Sequence, residues 1–484
     1  MPLLNIPINQ SFICREPERQ ALARIARKET TPCILIVYGR RRIGKTELLE
    51  QTFRERKIIK FEGKEGQSSE VQRRHVLNEM AKLFDDPLLA KLQLDTWLDI
   101  FELIYRYTKD GEWTVYFEEL QWLANYKDEF VSDLKIVWDN KFRHNPKMLV
   151  ILCGSSPSFM INQVAHSKAL YNRSQYEMLL EQFTLPEAAQ FLKNRSRKEV
   201  MDAYLTLGGI PLYLEKLNDE SSVFLSLCQN SFTKKSFFSD EYQRIFISSM
   251  SENKNYQKII EFLSKHRYAT RADILKHLKL TSGGNITALL DDLELCGFIA
   301  KYAPYNAGEH SLLIRYCIQD PYLQFYNKFI RPIQKEIATG RYAQSPQSAM
   351  NRETYSKWLG YAFERFCRRY DFVIADILRF SAVKYRSGPY FSRSSKKESP
   401  GYQIDLLFDR DDHVVTVCEI KYSINKMSRS VIEEFERKIA LFNNPKKKTI
   451  QRVLITANGV ENAIEAEGYF DKIITLDDLF EARY

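Results

Sequence analysis

The sequence predicts an α/β protein of several domains, the first built on a parallel sheet. Three observations lead there. At 484 residues the chain exceeds what one hydrophobic core supports, and about three domains are expected. Between residues 33 and 180, short continuous apolar runs alternate with amphipathic helical stretches, as when strands are buried on both faces. Beyond residue 184 the pattern changes twice, first to wholly helical sequence and then to a second strand-containing block.

Taken in order, the strand candidates of the first domain are CILIVY (33–38), KIIKFEG (57–63), WTVYFE (113–118), MLVILCG (148–154) and QYEMLL (175–180). From Thr184 to Met250 the sequence reads as helix, as in LPEAAQFL and VMDAYLTL. Gly208-Gly209-Ile210-Pro211 interrupts it, ending one helix and starting another. Residues 256 to 303 then give helix, turn, helix, a Ser-Gly-Gly turn, helix NITALLDDLELCG and strand FIAKYA, the order of a winged helix-turn-helix. An aromatic-rich helical connector, DPYLQFYNKFIRPI, follows. The last block carries a long helix (YSKWLGYAFERFCRRYDF), a basic turn-rich insert (YRSGPYFSRSSKKESPG), strand YQIDLLFD, turn DRDDH, strand VVTVCEIKY, a charged helix and strand RVLITANG. The expected domains are therefore 1–183, a helical lid 184–250, a winged helix 251–315, and a connector with a second α/β domain 316–484.

Composition narrows the class. Lys and Arg outnumber Asp and Glu by 71 to 62, a net charge of +9 and a mild lean towards polyanions. Eight cysteines stand singly, without a CxxC pair or a His at ligand spacing, which argues against a zinc ribbon or a disulfide framework and for a reducing compartment. The first residues, MPLLNIPINQ, lack the regions of a signal peptide, and no apolar run approaches the ~18 residues of a membrane span. A cytoplasmic protein without membrane association is expected.

Gly39-Arg40-Arg41-Arg42-Ile43-Gly44-Lys45-Thr46 fits GxxxxGK[ST] and lies between an apolar strand and the helix TELLEQTF. Such a loop wraps phosphates with backbone N–H groups at the positive end of a helix. Lys45 is expected to reach the β- and γ-phosphates of ATP, and the Thr46 hydroxyl to ligate Mg²⁺. The strand VYFEE ends in two carboxylates: Glu118, where such sites usually have Asp, is expected to hold Mg²⁺ through water, and Glu119 to act as general base.

Together with Phe12-Ile13-Cys14-Arg15-Glu16, Gly154-Ser155-Ser156, Leu170-Tyr171-Asn172-Arg173 and Gly208-Gly209-Ile210-Pro211, these residues resemble the archaeal-type AAA ATPases, relatives of the signal-transducing ATPases with numerous domains. The resemblance implies an adenine contact near Ile13 and Arg15, a polar sensor at Ser155 or Ser156, and Pro211 packing near the nucleotide. It also implies an arginine finger at Arg173, in cis or from a neighbouring subunit, which makes a homo-oligomer plausible. Asn172 and Cys14 depart from the family's usual residues. In the winged-helix segment the helix in the recognition position carries Asp291, Asp292 and Glu294 and no Lys or Arg, so it is expected to pack as a joint rather than read a groove.

In VCEIKY (417–422), Glu419 and Lys421 share a strand face, and a hairpin through DRDDH brings Asp405 beside them. Asp405 and Glu419 are then two hard oxygen ligands for Mg²⁺ or Mn²⁺, with Lys421 alongside to orient or deprotonate a water and Glu364 as a third carboxylate. This arrangement resembles the PD-(D/E)xK superfamily, with its restriction-endonuclease-like fold, and the same ATPases often end in such a domain. The expected protein is an AAA-type ATPase whose nucleotide state gates a metal-dependent nuclease-like domain acting on DNA. The alternative is a non-cleaving ATP-dependent regulatory or DNA-binding protein that uses the nuclease fold as an interaction module. RSSKKE and NPKKKTIQR are candidate tracks for a phosphate backbone.

Overall fold

A computed structural model describes residues 6–26, 31–249, 253–280, 284–303, 305, 314–392 and 401–484. The basic run RSSKKE (393–398) and Ser282-Gly283 of the expected turn lie outside the described residues. The described parts of the chain form two compact units, one from 1–182, 243–256 and 287–296, the other from 183–242, 257–286 and 297–484. The helical stretch 183–242 thus clusters with the C-terminal α/β block.

The five apolar runs of the first unit form β1 (Cys33–Tyr38), β2 (Lys57–Glu62), β3 (Trp113–Glu118), β4 (Met148–Gly154) and β5 (Ser174–Leu179). Among the described residues their order is β2-β3-β4-β1-β5, and each neighbouring pair is parallel. Alternation along β1 divides its side chains between two cores: Ile34 and Ile36 join Phe101, Phe117 and Phe130, while Leu35 and Val37 join Leu48 and Leu49 of the helix Lys45–Phe53. Both faces are covered, which is why these runs carry no polar alternation. In the first core Phe117 packs edge-on to Phe101 and Phe130, at 5.7 and 5.2 Å between centroids. Each such pair adds about 0.5–1.5 kcal/mol beyond burial. Strand β5 differs, because its residues alternate between partly buried and exposed and it lies at one end of the sheet order.

In the second unit the helix Arg197–Leu207 starts in a capping box formed by Ser196 and Glu199 and ends at Gly208, whose φ is +75°. Gly209 follows, and a Cβ there would stand 2.1 Å from the Phe183 carbonyl oxygen. Phe183 N–H donates to the Gly209 carbonyl at 2.8 Å, so the backbones touch and only glycine fits. Three short strands, β6 (Ala269–Thr270), β7 (Ile299–Tyr302) and β8 (Arg315–Ile318), form an antiparallel sheet of order β6-β8-β7.

The last sheet comprises β9 (Tyr385–Ser392), β10 (Tyr402–Arg410), β11 (Val414–Lys421), β12 (Thr449–Thr456) and β13 (Lys472–Ile474), in the order β13-β12-β11-β10-β9. Strands β9, β10 and β11 are antiparallel, and β11, β12 and β13 parallel. The start of the basic insert, expected as turns, is therefore a strand paired along β10. Val431, Ile432 and Phe435 of the helix Ser430–Leu441 fill the core against Ile404, Leu407, Val417 and Leu454.

Candidate functional site

The phosphate loop is fixed by sterics at both glycines. A Cβ at Gly39 would lie 2.3 Å from the Leu180 carbonyl oxygen, and Gly44 has φ +92° immediately before the helix Lys45–Phe53. Arg42 is also left-handed, at φ +68°. Lys45 is buried, and its Nζ donates to the Gly39 and Arg40 carbonyls at 2.9 Å each. Ile43 sits in the core, and its carbonyl accepts from the Arg15 guanidinium at 3.1 Å. Cys14 and Arg15 are both left-handed, at φ +68° and +62°, a geometry that costs a non-glycine residue energy and clusters at functional sites. Ile13, beside them, is half-buried, and Arg40 and Arg41 are partly exposed along the loop. Pro211 lies in the second unit, at the first position of the helix Pro211–Glu215.

Strand β3 delivers the acids. Glu118 is buried, and its Oε1 accepts from the Thr46 hydroxyl. These two hard oxygen groups fit the Mg²⁺ that accompanies a nucleotide triphosphate. Glu119 leaves the strand in the left-handed region, at φ +50°. Its Oε2 accepts from the Ser155 hydroxyl at 2.5 Å and from Gln121 Nε2 at 2.7 Å. Gln121 and Ser155 are fully buried and bonded to each other, Nε2 to Oγ at 3.0 Å. The expected sensor and general base are thus one network, with Gln121 as a member that sequence reasoning missed.

Arg173 meets Asp139 in a bidentate pair, Nε to Oδ1 at 2.8 Å and a second guanidinium nitrogen to Oδ2 at 2.9 Å. The guanidinium, foremost, holds the Asp139 carboxyl below its ordinary pKa. Asp139 was not expected as a partner.

The third helix of the segment expected as a winged helix, Gly284–Leu295, belongs to the first unit from Thr287 onward. There Asp292 accepts from the Ser158 and Tyr256 hydroxyls. One of its three acids thus has a partner, Ser158, in the matched ATPase region.

In the C-terminal sheet the expected hairpin forms, and Asp405 lies one position beyond the Leu406–Cys418 pair. Its Oδ2 accepts from Ile420 N–H at 3.1 Å and its Oδ1 from Gln403 at 3.0 Å. Glu419 is wholly buried, and Lys421 Nζ stands 2.9 Å from its Oε1. A cleft of about 580 Å³ is lined by Glu364, Asp405, Glu419, Lys421, Glu434 and Lys438. Burial, then the neighbouring Glu364, raises the Asp405 pKa; burial, then Asp405, raises that of Glu419.

The three expected metal carboxylates share this cleft, yet among the described residues no three acidic, His or Cys groups are grouped to hold one ion. Two of the three have cationic partners. Lys438 Nζ donates to both Glu419 oxygens at 2.7 Å, and Arg368 holds Glu364 at 2.8 Å. The oxygen chemistry suits Mg²⁺ or Mn²⁺, but the arrangement as folded is balanced by ammonium and guanidinium groups instead. The signal for Lys438 was present: it falls in the apolar stripe of its helix with Val431 and Phe435, where a lysine needs an acid. The run NPKKKTIQR is partly committed too, since Lys448 bonds Asp409 at 2.5 Å.

Residues 12–217 match the model of a family described as an ATPase domain predominantly from Archaea. The match covers the phosphate loop, both acids and Ser155, and it identifies this part of the chain as an archaeal-type P-loop ATPase domain that binds ATP. An uncharacterized protein of Methanocaldococcus jannaschii is 24% identical over 413 residues, 85% of this chain and 87% of its own. Among solved structures, the Walker-type ATPase of Pyrococcus abyssi aligns with 68% of this chain and 100% of its own, at 17% identity and a TM-score of 0.45. The Aeropyrum pernix ORC2 protein in its ADPNP–ADP complexes aligns with 71% of this chain and 98% of its own, at 13% identity and a TM-score of 0.46. Among the described residues no helix is long and apolar enough to cross a membrane.

Proposed function

We propose that ATP hydrolysis in the N-terminal domain switches a C-terminal nuclease-like domain that cleaves DNA with a divalent metal. In the ATPase half, Glu119 takes the proton of the attacking water while Ser155 and Gln121 fix its carboxylate. Lys45 and the loop N–H groups orient the phosphates, with Ile13 and Arg15 at the adenine and Arg173 as finger. Mg²⁺, held by Thr46 and Glu118, would neutralise phosphate charge.

The single observation that carries the nuclease reading is the grouping of Asp405, Glu419 and Lys421 at one end of a hairpin, with Lys421 Nζ 2.9 Å from Glu419. Bound at Asp405 and Glu419, Mg²⁺ or Mn²⁺ would supply Lewis-acid polarisation of a phosphodiester. Lys421 holds a water proton or orients that water. Gating is supported by the helix Arg197–Leu207, which lies within the matched ATPase region and bonds the strand end next to Lys421 through Asp202 and Tyr422 at 2.6 Å. The winged-helix segment 251–315 serves in this reading as a joint, since its Asp292 is committed to Ser158 and Tyr256.

The Lys438 clamp favours a second reading, a non-cleaving ATP-dependent regulator in which the nuclease fold is an interaction module. An assay on plasmid and short DNA with Mg²⁺ or Mn²⁺, with and without ATP, separates the two. Cleavage abolished by Asp405→Ala and altered by Lys45→Ala supports the gated nuclease. ATP hydrolysis with every substrate intact in both metals supports the regulator.

A further inference from the structure

Glu118 has one methylene more than the Asp usual at its position, and a longer carboxylate needs something to fix its direction. Strand β2 supplies a candidate. Ile58 belongs to the core that packs on the helix Lys45–Phe53, whereas Ile59 and Phe61 belong to the other core. By strand alternation Lys60 therefore faces the phosphate-loop helix. In the β2–β3 register Lys60 stands opposite Tyr116, and Glu62 opposite Glu118, so Lys60 is diagonal to Glu118.

The contacts close a ring. Lys60 Nζ lies 2.5 Å from Glu118 Oε2 and 2.9 Å from Glu50 Oε1. Glu50 is one helical turn beyond Thr46, on the same side of that helix. Thr46 in turn donates to Glu118 Oε1. Each oxygen of Glu118 thus has its own partner, and the partners are joined through one helix. Lys60 and Glu118 are well shielded, with side chains 18% and 8% exposed, so solvent does not dissolve the pair. Burial opposes the Lys60 charge, but Glu118 and Glu50 outweigh it and hold the ammonium above its ordinary pKa.

We infer that Lys60 is a positioning residue of the nucleotide site: by holding Glu118 Oε2 it aims Oε1 at Thr46 and so sets the metal requirement of ATP binding and hydrolysis. This rests on the ATPase reading of residues 12–217. Lys60 touches neither the phosphate loop carbonyls bound by Lys45 nor Glu119 among the contacts above, so its effect should reach the metal side of the site alone.

The test uses the full-length protein with Lys60→Met, Lys60→Arg, Glu50→Gln and Lys45→Ala. Binding of a fluorescent ADP analogue is measured with and without Mg²⁺, and ATP hydrolysis across a Mg²⁺ series. Lys60→Met is expected to leave metal-free nucleotide affinity unchanged and to raise the half-saturating Mg²⁺ about tenfold, as loss of a partner behind a metal ligand does. Lys60→Arg keeps most of the wild-type requirement. Glu50→Gln frees only the far end of Lys60 and shifts the requirement in the same direction by less; it carries the test if Lys60→Met does not fold. An unchanged Mg²⁺ requirement in both variants, or a lower one in Lys60→Met, overturns the inference. Wild-type protein without Lys45-dependent nucleotide binding overturns the ATPase reading, and this inference with it.

Discussion

Tyr422 donates a hydrogen bond of 2.6 Å to Asp202, joining the residue after Lys421 to the middle of the helix Arg197–Leu207. Asp202 also accepts from Lys198 at 2.7 Å, and the Lys198 ammonium sits 4.6 Å from the centre of the Tyr422 ring. Burial raises the Asp202 pKa, and Lys198 and Tyr422 oppose that rise. Two groups thus oppose its protonation, and one of them, Tyr422, directly follows the strand that carries Glu419 and Lys421.

Tyr422→Phe removes one of those groups and keeps the ring packed on Phe363, 4.8 Å away. Stability should fall by about 1 kcal/mol, the worth of one such bond. Under the gating proposal, ATP hydrolysis stays at its wild-type rate while the ratio of DNA cleavage with and without ATP moves to unity. Paired rate measurements on the same preparation check this. A preserved ratio would place the coupling elsewhere.

Glu119→Gln keeps the acceptor oxygen for Ser155 or Gln121 but abolishes the base. Hydrolysis should fall about 10²–10⁴-fold with ATP affinity retained. Single-turnover hydrolysis and nucleotide titration separate the two effects. A variant that loses binding and rate together would assign Glu119 to loop structure.

The bidentate Arg173–Asp139 pair sets two roles against each other. If Arg173 acts as a finger, Arg173→Ala lowers the hydrolysis rate about 10³-fold, and Asp139→Asn, which releases the guanidinium, does not lower it. If the pair only braces the helix Glu129–Asn140, both variants lose similar stability and neither changes the rate once folded. Melting curves and steady-state rates on the two variants decide between these outcomes.

The sequence exposed what repeats locally and concealed what depends on a partner from elsewhere in the chain. The runs of β1, β3 and β4 marked the first sheet because strands buried on both faces need no alternation. The GRRRIGKT loop was legible because its glycines answer to φ and to a 2.3 Å backbone approach that no other residue allows. Lys60, Gln121 and Asp139 were not, since each reads as an ordinary surface residue until its partner arrives from a distant segment. Strand β9 was missed because Gly388 and Pro389 in YRSGPYFS signal turns, yet it pairs with β10 across a register shift between Ile404 and Leu407.

The Asp405 carboxyl provides a prediction in metal-free buffer. Burial and the nearby Glu364 raise its pKa, so the folded state binds this proton more tightly than the unfolded state. Stability from this group is then greatest at acid pH and is lost as pH rises from the ordinary carboxylate value, ~3.9, through the higher folded value, after which it levels off. Asp405→Asn has no such proton to lose, and its amide oxygen still accepts from Ile420 N–H. The variant should match the wild type in acid and exceed it at neutral pH by about 1 kcal/mol, as substitutions that relieve a strained functional site do. Chemical denaturation of both proteins across the carboxylate range with a chelator present measures the difference. Adding Mn²⁺ at neutral pH should then stabilise the wild type and leave Asp405→Asn unmoved, since only a folded-state ligand site couples the ion to stability. Equal stabilisation of both proteins would move the ion away from Asp405, and no stabilisation of either would favour the ion-paired, non-cleaving reading held by Lys438.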